Sequence, residues 1–125
     1  MIVIISKTIE EKDLDKFSDK KILEVAKKVQ KGLGFFLPKI FSNSKTEKIY
    51  FTSDIGAGRA VFVTKKFSNQ KKDKIILLIM IPKNSKWGKN INTSDKKFME
   101  ELKKRAKIVK KELLLEKFRI LDLNQ

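Results

Sequence analysis

The 125 residues predict an α+β fold: a small antiparallel sheet of about four strands with one mixed edge, N-terminal helices packed on one face, and a long basic C-terminal helix. Three stretches carry that prediction. Ile75 to Ile81 is an unbroken apolar run held between Lys74 and Pro82, too short for an ordinary helix and suited to a strand buried on both faces. Just before it, Arg59 to Lys65 alternates, with Ala60 and Phe62 on one side and Arg59, Val61, Val63 and Lys65 on the other. The two runs form a hairpin that should sit in the middle of the sheet. Farther on, Phe98, Leu102, Ala106, Val109 and Leu113 fall on one side of a helix whose remaining positions are mostly lysine.

Taken in order, Met1 to Ser6 is a short buried strand. Thr8 followed by Glu11 has the spacing of a capping box, so a helix is expected there with Leu14 and Phe17 on its apolar side. Ser18 is a second N-cap, behind which Ile22, Val25, Ala26 and Val29 make a helical stripe that Gly32 should stop. Gly34 and Pro38 interrupt the apolar segment that follows, which predicts an irregular packed connection. Phe35, Phe36 and Phe41 in it are expected in the core or in a partner's interface. Lys48 to Ser53 alternates as a strand, with Ile49 and Phe51 opposite Lys48, Tyr50 and Thr52. DIGAG at 54–58 is a tight glycine turn leading into Arg59. After Pro82 the chain is polar until Thr93 or Ser94, either of which can cap the long helix. The last segment, Phe118 to Leu123, either extends that helix, adds an edge strand or docks on another subunit.

Length and composition suit a single domain over 1–125, with the C-terminal helix and tail starting near 93. No apolar stretch reaches ~18 residues, and MIVIIS turns polar too soon for a signal peptide, so a cytoplasmic protein away from membranes is expected. There is no cysteine and no histidine, which excludes thiol chemistry and removes the commonest general base and metal ligand. No nucleotide-binding or metal-ligand pattern occurs, so neither a cofactor nor a metal is expected. The net charge of +15 is lopsided. Residues 1–58 hold eleven basic and eight acidic side chains, a net of +3, whereas residues 59–125 hold nineteen and seven, a net of +12. Such an excess attracts a polyanion, although part of it is the ordinary solvated face of a Glu/Lys helix.

The succession GAGRAVFV at 56–63, KIILLIMI at 74–81, PKNSK at 82–86 and a helix from Thr93 resembles the RelE/ParE superfamily of toxins from type II toxin–antitoxin systems, most closely its RelE/HigB-like branch. That resemblance spans roughly residues 48–111 and elsewhere rests on the order of elements. It implies a ribosome-associated, metal-independent mRNA endoribonuclease neutralised by a cognate antitoxin, touching operator DNA only through that antitoxin. In such a reaction the ribose 2′-OH attacks its own phosphodiester. A base must take the hydroxyl proton, a cation must meet the phosphorane charge, and an acid must protonate the leaving oxygen.

On this reading Arg59 clamps the phosphate, since guanidinium forks across two oxygens. Lys83 and Lys86 contact phosphate or donate a proton, and Lys48 acts as base or second clamp. Tyr50 and Trp87 stack on splayed bases, while Lys65 and Lys89 add backbone contacts. The lysines of the helix at 96–111 would hold the polyanion without reading its sequence. Glu100 and Glu101 are adjacent, so they diverge on a helix and make no acid–base couple. Two other readings of the same scaffold stay open: a ParE-like inhibitor of DNA gyrase that does no chemistry, and a basic nucleic-acid-binding protein without catalysis.

Overall fold

The structure is a computed structural model that describes residues 1–65, 74–85 and 96–123. Six strands and three helices follow one another as β1 (Ile2–Ser6), α1 (Lys7–Asp13), a 3-10 turn (Leu14–Lys16), α2 (Asp19–Gln30), β2 (Phe35–Leu37), β3 (Ser44–Ser53), β4 (Gly56–Lys65), β5 (Lys74–Pro82), α3 (Lys96–Leu114) and β6 (Phe118–Asp122). The strands form one mixed sheet in the order β2-β3-β4-β5-β1-β6. The β4–β5 hairpin occupies its centre, as the apolar run of β5 requires. Every residue of β5 from Ile75 to Ile81 is buried.

The sheet has six strands rather than about four. The first addition is β2, in a segment expected to be irregular. Between Gly34 and Pro38 three residues are enough to pair Phe35–Leu37 with Thr46–Lys48. The second is β6, which pairs antiparallel with β1 and settles the tail as an edge strand. Only the β1–β5 contact is parallel, with Ile2–Ile4 registered on Lys74–Ile76.

Helix α2 begins where Ser18 accepts a hydrogen bond from the Lys21 N–H at 3.1 Å. It ends where Gly32 turns to φ +73°, a conformation glycine adopts without a Cβ penalty. Thr8, by contrast, is no cap. Helix α1 starts one residue earlier, behind Ser6, and the Thr8 N–H donates instead to Glu112 of α3 at 3.0 Å. The start of α3, with Thr93 and Ser94, lies outside the described residues.

The two long helices cover opposite faces. Phe51 of β3 meets Phe17, just before α2, edge to face at 5.5 Å, and α2 lies against β3 and β4. Ile76 shares a cavity with Lys110 and Leu113 of α3, and α3 lies against β5 and β1. Ile76 is aligned with Val63 and through it with Thr46. Thr46 and Phe51 are five residues apart on one strand, so they point to opposite faces. Lys48 and Tyr50 therefore share the face that α3 covers farther along the sheet.

A buried ion pair joins the helices to the open side of β5. Strand β1 is registered with β5 only as far as Ile76, and beyond it Asp13 and Arg105 take over. The Asp13 carboxylate accepts from the Met80 N–H at 2.9 Å and from both Arg105 terminal nitrogens, at 2.7 and 3.2 Å. Arg105 also donates to the Leu78 carbonyl at 3.2 Å and, through Nε, to Glu101 at 3.0 Å. A second ion cluster ties β6 down: Arg119 donates to Asp19 at 2.8 Å and to Glu10 at 2.9 Å. The Asp19 hydrogen bond, ahead of Glu10, holds the Arg119 charge more firmly than usual. Among the described residues no helix is long and apolar enough to cross a membrane.

Candidate nucleic-acid interface

The β3–β4 hairpin positions the site. Ser53 and Gly56 are partners across its end, leaving Asp54 and Ile55 as a two-residue loop. The Ser53 hydroxyl donates to the Gly56 carbonyl at 3.1 Å, and Gly56 sits at φ +103°, which only glycine takes without strain. Two residues on, Gly58 is registered opposite Phe51. A Cβ at Gly58 would overlap the Phe51 ring, so this glycine serves close approach rather than the turn. The next pair is Tyr50 and Arg59.

That pair is the centre of a cation–aromatic cluster. The Arg59 guanidinium carbon lies 4.1 Å from the centre of the Tyr50 ring. Lys48 places its Nζ 5.1 Å from the same centre. Phe35 of β2, aligned with Lys48, meets Tyr50 edge to face at 5.5 Å and 74°. Two cations against one ring are favoured by the ring's quadrupole, and the guanidinium can stay fully charged in that position. Arg59 further donates to the Gly58 carbonyl at 3.0 Å. The strand beneath is held from the other side, where Lys28 and Lys21 of α2 donate to the Tyr50 and Thr52 carbonyls, each at 2.9 Å. Tyr50 is 38% exposed and Phe35 58% exposed, so the aromatic surface is open to a ligand.

The backbone also brings the exit of β5 to this end. Arg59 is registered with Ile81 and Gly58 with Pro82, and the Lys83 N–H donates to the Ala57 carbonyl at 2.8 Å. The turn before β4 and the chain after β5 thus converge.

Of the sequence-predicted site residues, Arg59, Tyr50 and Lys48 come together, and Lys83 starts at the same end of the hairpin. Lys48 is only 7% exposed, which suits an ammonium seated beside Tyr50 better than a solvent-facing base. Lys65 does not belong here. It lies six residues along β4 from Arg59, roughly 20 Å at ~3.3 Å per residue, and is aligned with Lys74 instead. Lys86, Trp87 and Lys89 lie outside the described residues.

Phe35 is the residue that sequence reasoning misplaced. Phe35 and Phe36 are exposed rather than core, because β2 is a short edge strand with no layer above it, while Phe41 is half-buried against the core. The signal was present in the spacing: Phe35 is aligned with Lys48, but only the β2–β3 register makes that visible. Along α3, Lys96, Lys97, Lys103, Lys104, Lys107, Lys110 and Lys111 are exposed, a solvated cationic face. Glu101, at the edge of the buried pair, is committed to Arg105.

No protein-family profile, curated protein or solved structure matches this chain.

Proposed function

We propose that the chain binds single-stranded RNA across the Phe35–Tyr50–Arg59 surface and acts as the toxin of a type II toxin–antitoxin pair, a RelE-like, metal-independent endoribonuclease working on mRNA at the ribosome. The observation that carries this reading is the placement of the Arg59 guanidinium 4.1 Å from a half-exposed tyrosine ring, with a second aromatic beside it. A base can stack on the aromatic surface while the guanidinium takes the adjoining phosphate. The convergence of the Lys83 segment on the same end supports a second phosphate contact. Arg59 would meet charge developing on the phosphorus-bound oxygens, which is the largest contribution a protein can make to such a reaction. The net charge of +15 supports a polyanionic partner.

The partner that silences it would be the antitoxin. Leu33, Phe35 and Phe36 expose apolar surface beside and along edge strand β2, and a strand added to that edge would cover Phe35 and with it the stacking surface.

A second reading has a specific observation behind it. The described residues at the site are cations and aromatics, the chemistry of a clamp, so a basic RNA-binding protein without catalysis fits them equally. A ParE-like gyrase inhibitor is the third member of the set. Induction in cells separates the three. Rapid mRNA cleavage at unchanged DNA supercoiling is the expected result. DNA breaks with intact mRNA would replace it with gyrase inhibition, and RNA binding without cleavage or growth arrest would replace it with the non-catalytic reading.

A further inference from the structure

We propose that the trough between α3 and the far end of the sheet is a binding site for an anionic amphiphile, a carboxylate or phosphate carried on an apolar chain. It lies at the end of the β4–β5 hairpin away from Arg59 and does not depend on the RNA reading.

Three lysines converge there from three elements. Lys65 of β4 and Lys74 of β5 are direct cross-strand partners. Lys110 of α3 lines the same cavity, whose volume is about 310 Å³. Like charges opposed across a ladder are unfavourable, and a third ammonium at the rim adds to the positive potential. An anionic head among the three gains attraction from each, whatever their other contacts. Neither this cavity nor its neighbour has a carboxylate among its described lining residues.

The floor is apolar: Ile4, Ile76, Leu113 and Phe118. Leu114, at 79% exposure, stands at the mouth with no apolar layer over it. A second cavity of about 190 Å³ shares Lys65, Ile76, Lys110 and Leu113 and continues toward Ile40 and Phe41. The trough thus crosses β4, β5, β1 and β6, three strand spacings or about 14 Å, long enough for a medium-length acyl chain. A nucleic-acid backbone fits this floor poorly, because a phosphodiester pressed against aliphatic side chains loses water and gains no partner. An acyl chain gains by the same burial, with its head at the lysine rim.

The test is equilibrium dialysis of the full chain with labelled dodecanoate and, in a separate arm, dodecyl phosphate. Saturable binding of one molecule per chain is expected, and the tighter arm identifies the head group. The double variant Lys65→Gln/Lys110→Gln should weaken binding on the order of tenfold. Lys103→Gln/Lys104→Gln, which removes the same charge from an exposed part of α3, should leave it unchanged. Circular dichroism of each variant checks that it is folded. Absence of saturable binding, equal losses in the two double variants, or displacement of dodecyl phosphate by inorganic phosphate at equal concentration would each overturn the proposal. RNA binding should be retained by the Lys65/Lys110 variant, which separates this site from the Arg59 surface.

Discussion

Tyr50 and Arg59 are direct partners across the β3–β4 ladder, and the Arg59 side chain folds over the Tyr50 ring so that the guanidinium carbon lies 4.1 Å from its centre. Cross-strand neighbours on one face stand close enough for side chains of this length to meet. A ligand that stacks on the ring therefore meets a cation already in place.

The proposed RNA contact makes Arg59 and Tyr50 separable by substitution. Tyr50→Ala should weaken binding of a short single-stranded RNA by about 1–3 kcal/mol, whereas Tyr50→Phe, which keeps the ring, should bind nearly as wild type. Arg59→Lys should fall between wild type and Arg59→Ala, because an ammonium cannot fork across a phosphate. Fluorescence anisotropy at two salt concentrations reads both effects. Equal affinity of Arg59→Ala and wild type would remove Arg59 from the site.

Asp13 and Arg105 should behave as a buried unit. Asp13→Ala leaves a guanidinium in the interior and strips the Met80 N–H of its acceptor, so a loss of about 3–5 kcal/mol is expected. Arg105→Met should destabilise comparably by stranding the carboxylate. Asp13→Leu/Arg105→Met should lose less than the two single variants together, since neither charge is then left alone. Urea midpoints at constant slope provide the comparison.

Glu47 predicts a pH dependence. Burial of its carboxyl raises the pKa above 4.5, with Lys45 pulling partly the other way. Between the unfolded value and the raised folded value the native state holds more protons than the unfolded state, so stability falls as pH rises through that window. Above it the penalty is fully present. Glu47→Gln should flatten the slope and stabilise the protein at pH 7, as thermal unfolding at pH 4 to 8 would reveal. A slope unchanged in the variant would place the dependence on another group.

Gly56 and Gly58 should fail for different reasons. Gly58→Ala drives a methyl into the Phe51 ring and should cost about 1–3 kcal/mol. Gly56→Ala meets nothing within 4 Å but forces a left-handed φ of +103°, at a cost of order 1–3 kcal/mol. Phe51→Leu should relieve the first variant and not the second. Double-mutant denaturation decides it.

Much of the fold is legible in local pattern. The uninterrupted apolar run of β5, the alternation of β4, the Ser18 cap and the Gly32 stop each act over a few residues and appear where the spacing puts them. The edges of the sheet are less legible. Strand β2 has three residues, too few for alternation to register, and its phenylalanines look like core because nothing local says that a layer is missing above them. Arg105 hides in the same way: among the lysines of α3 it reads as one more solvated cation, although it is 5% exposed and paired with a residue 92 positions away.

Sequence alone determined the central hairpin, the two long helices, the polyanion-seeking charge and the exclusion of thiol and histidine chemistry, because these depend on residue type and short-range period. Tertiary structure alone decided that Phe35 joins Tyr50, that Lys65 faces Lys74 far from Arg59, and that Asp13 finds Arg105. Those pairings depend on strand register and helix placement. Both are set by how the whole chain buries its apolar surface, and a window of neighbouring residues does not contain that information.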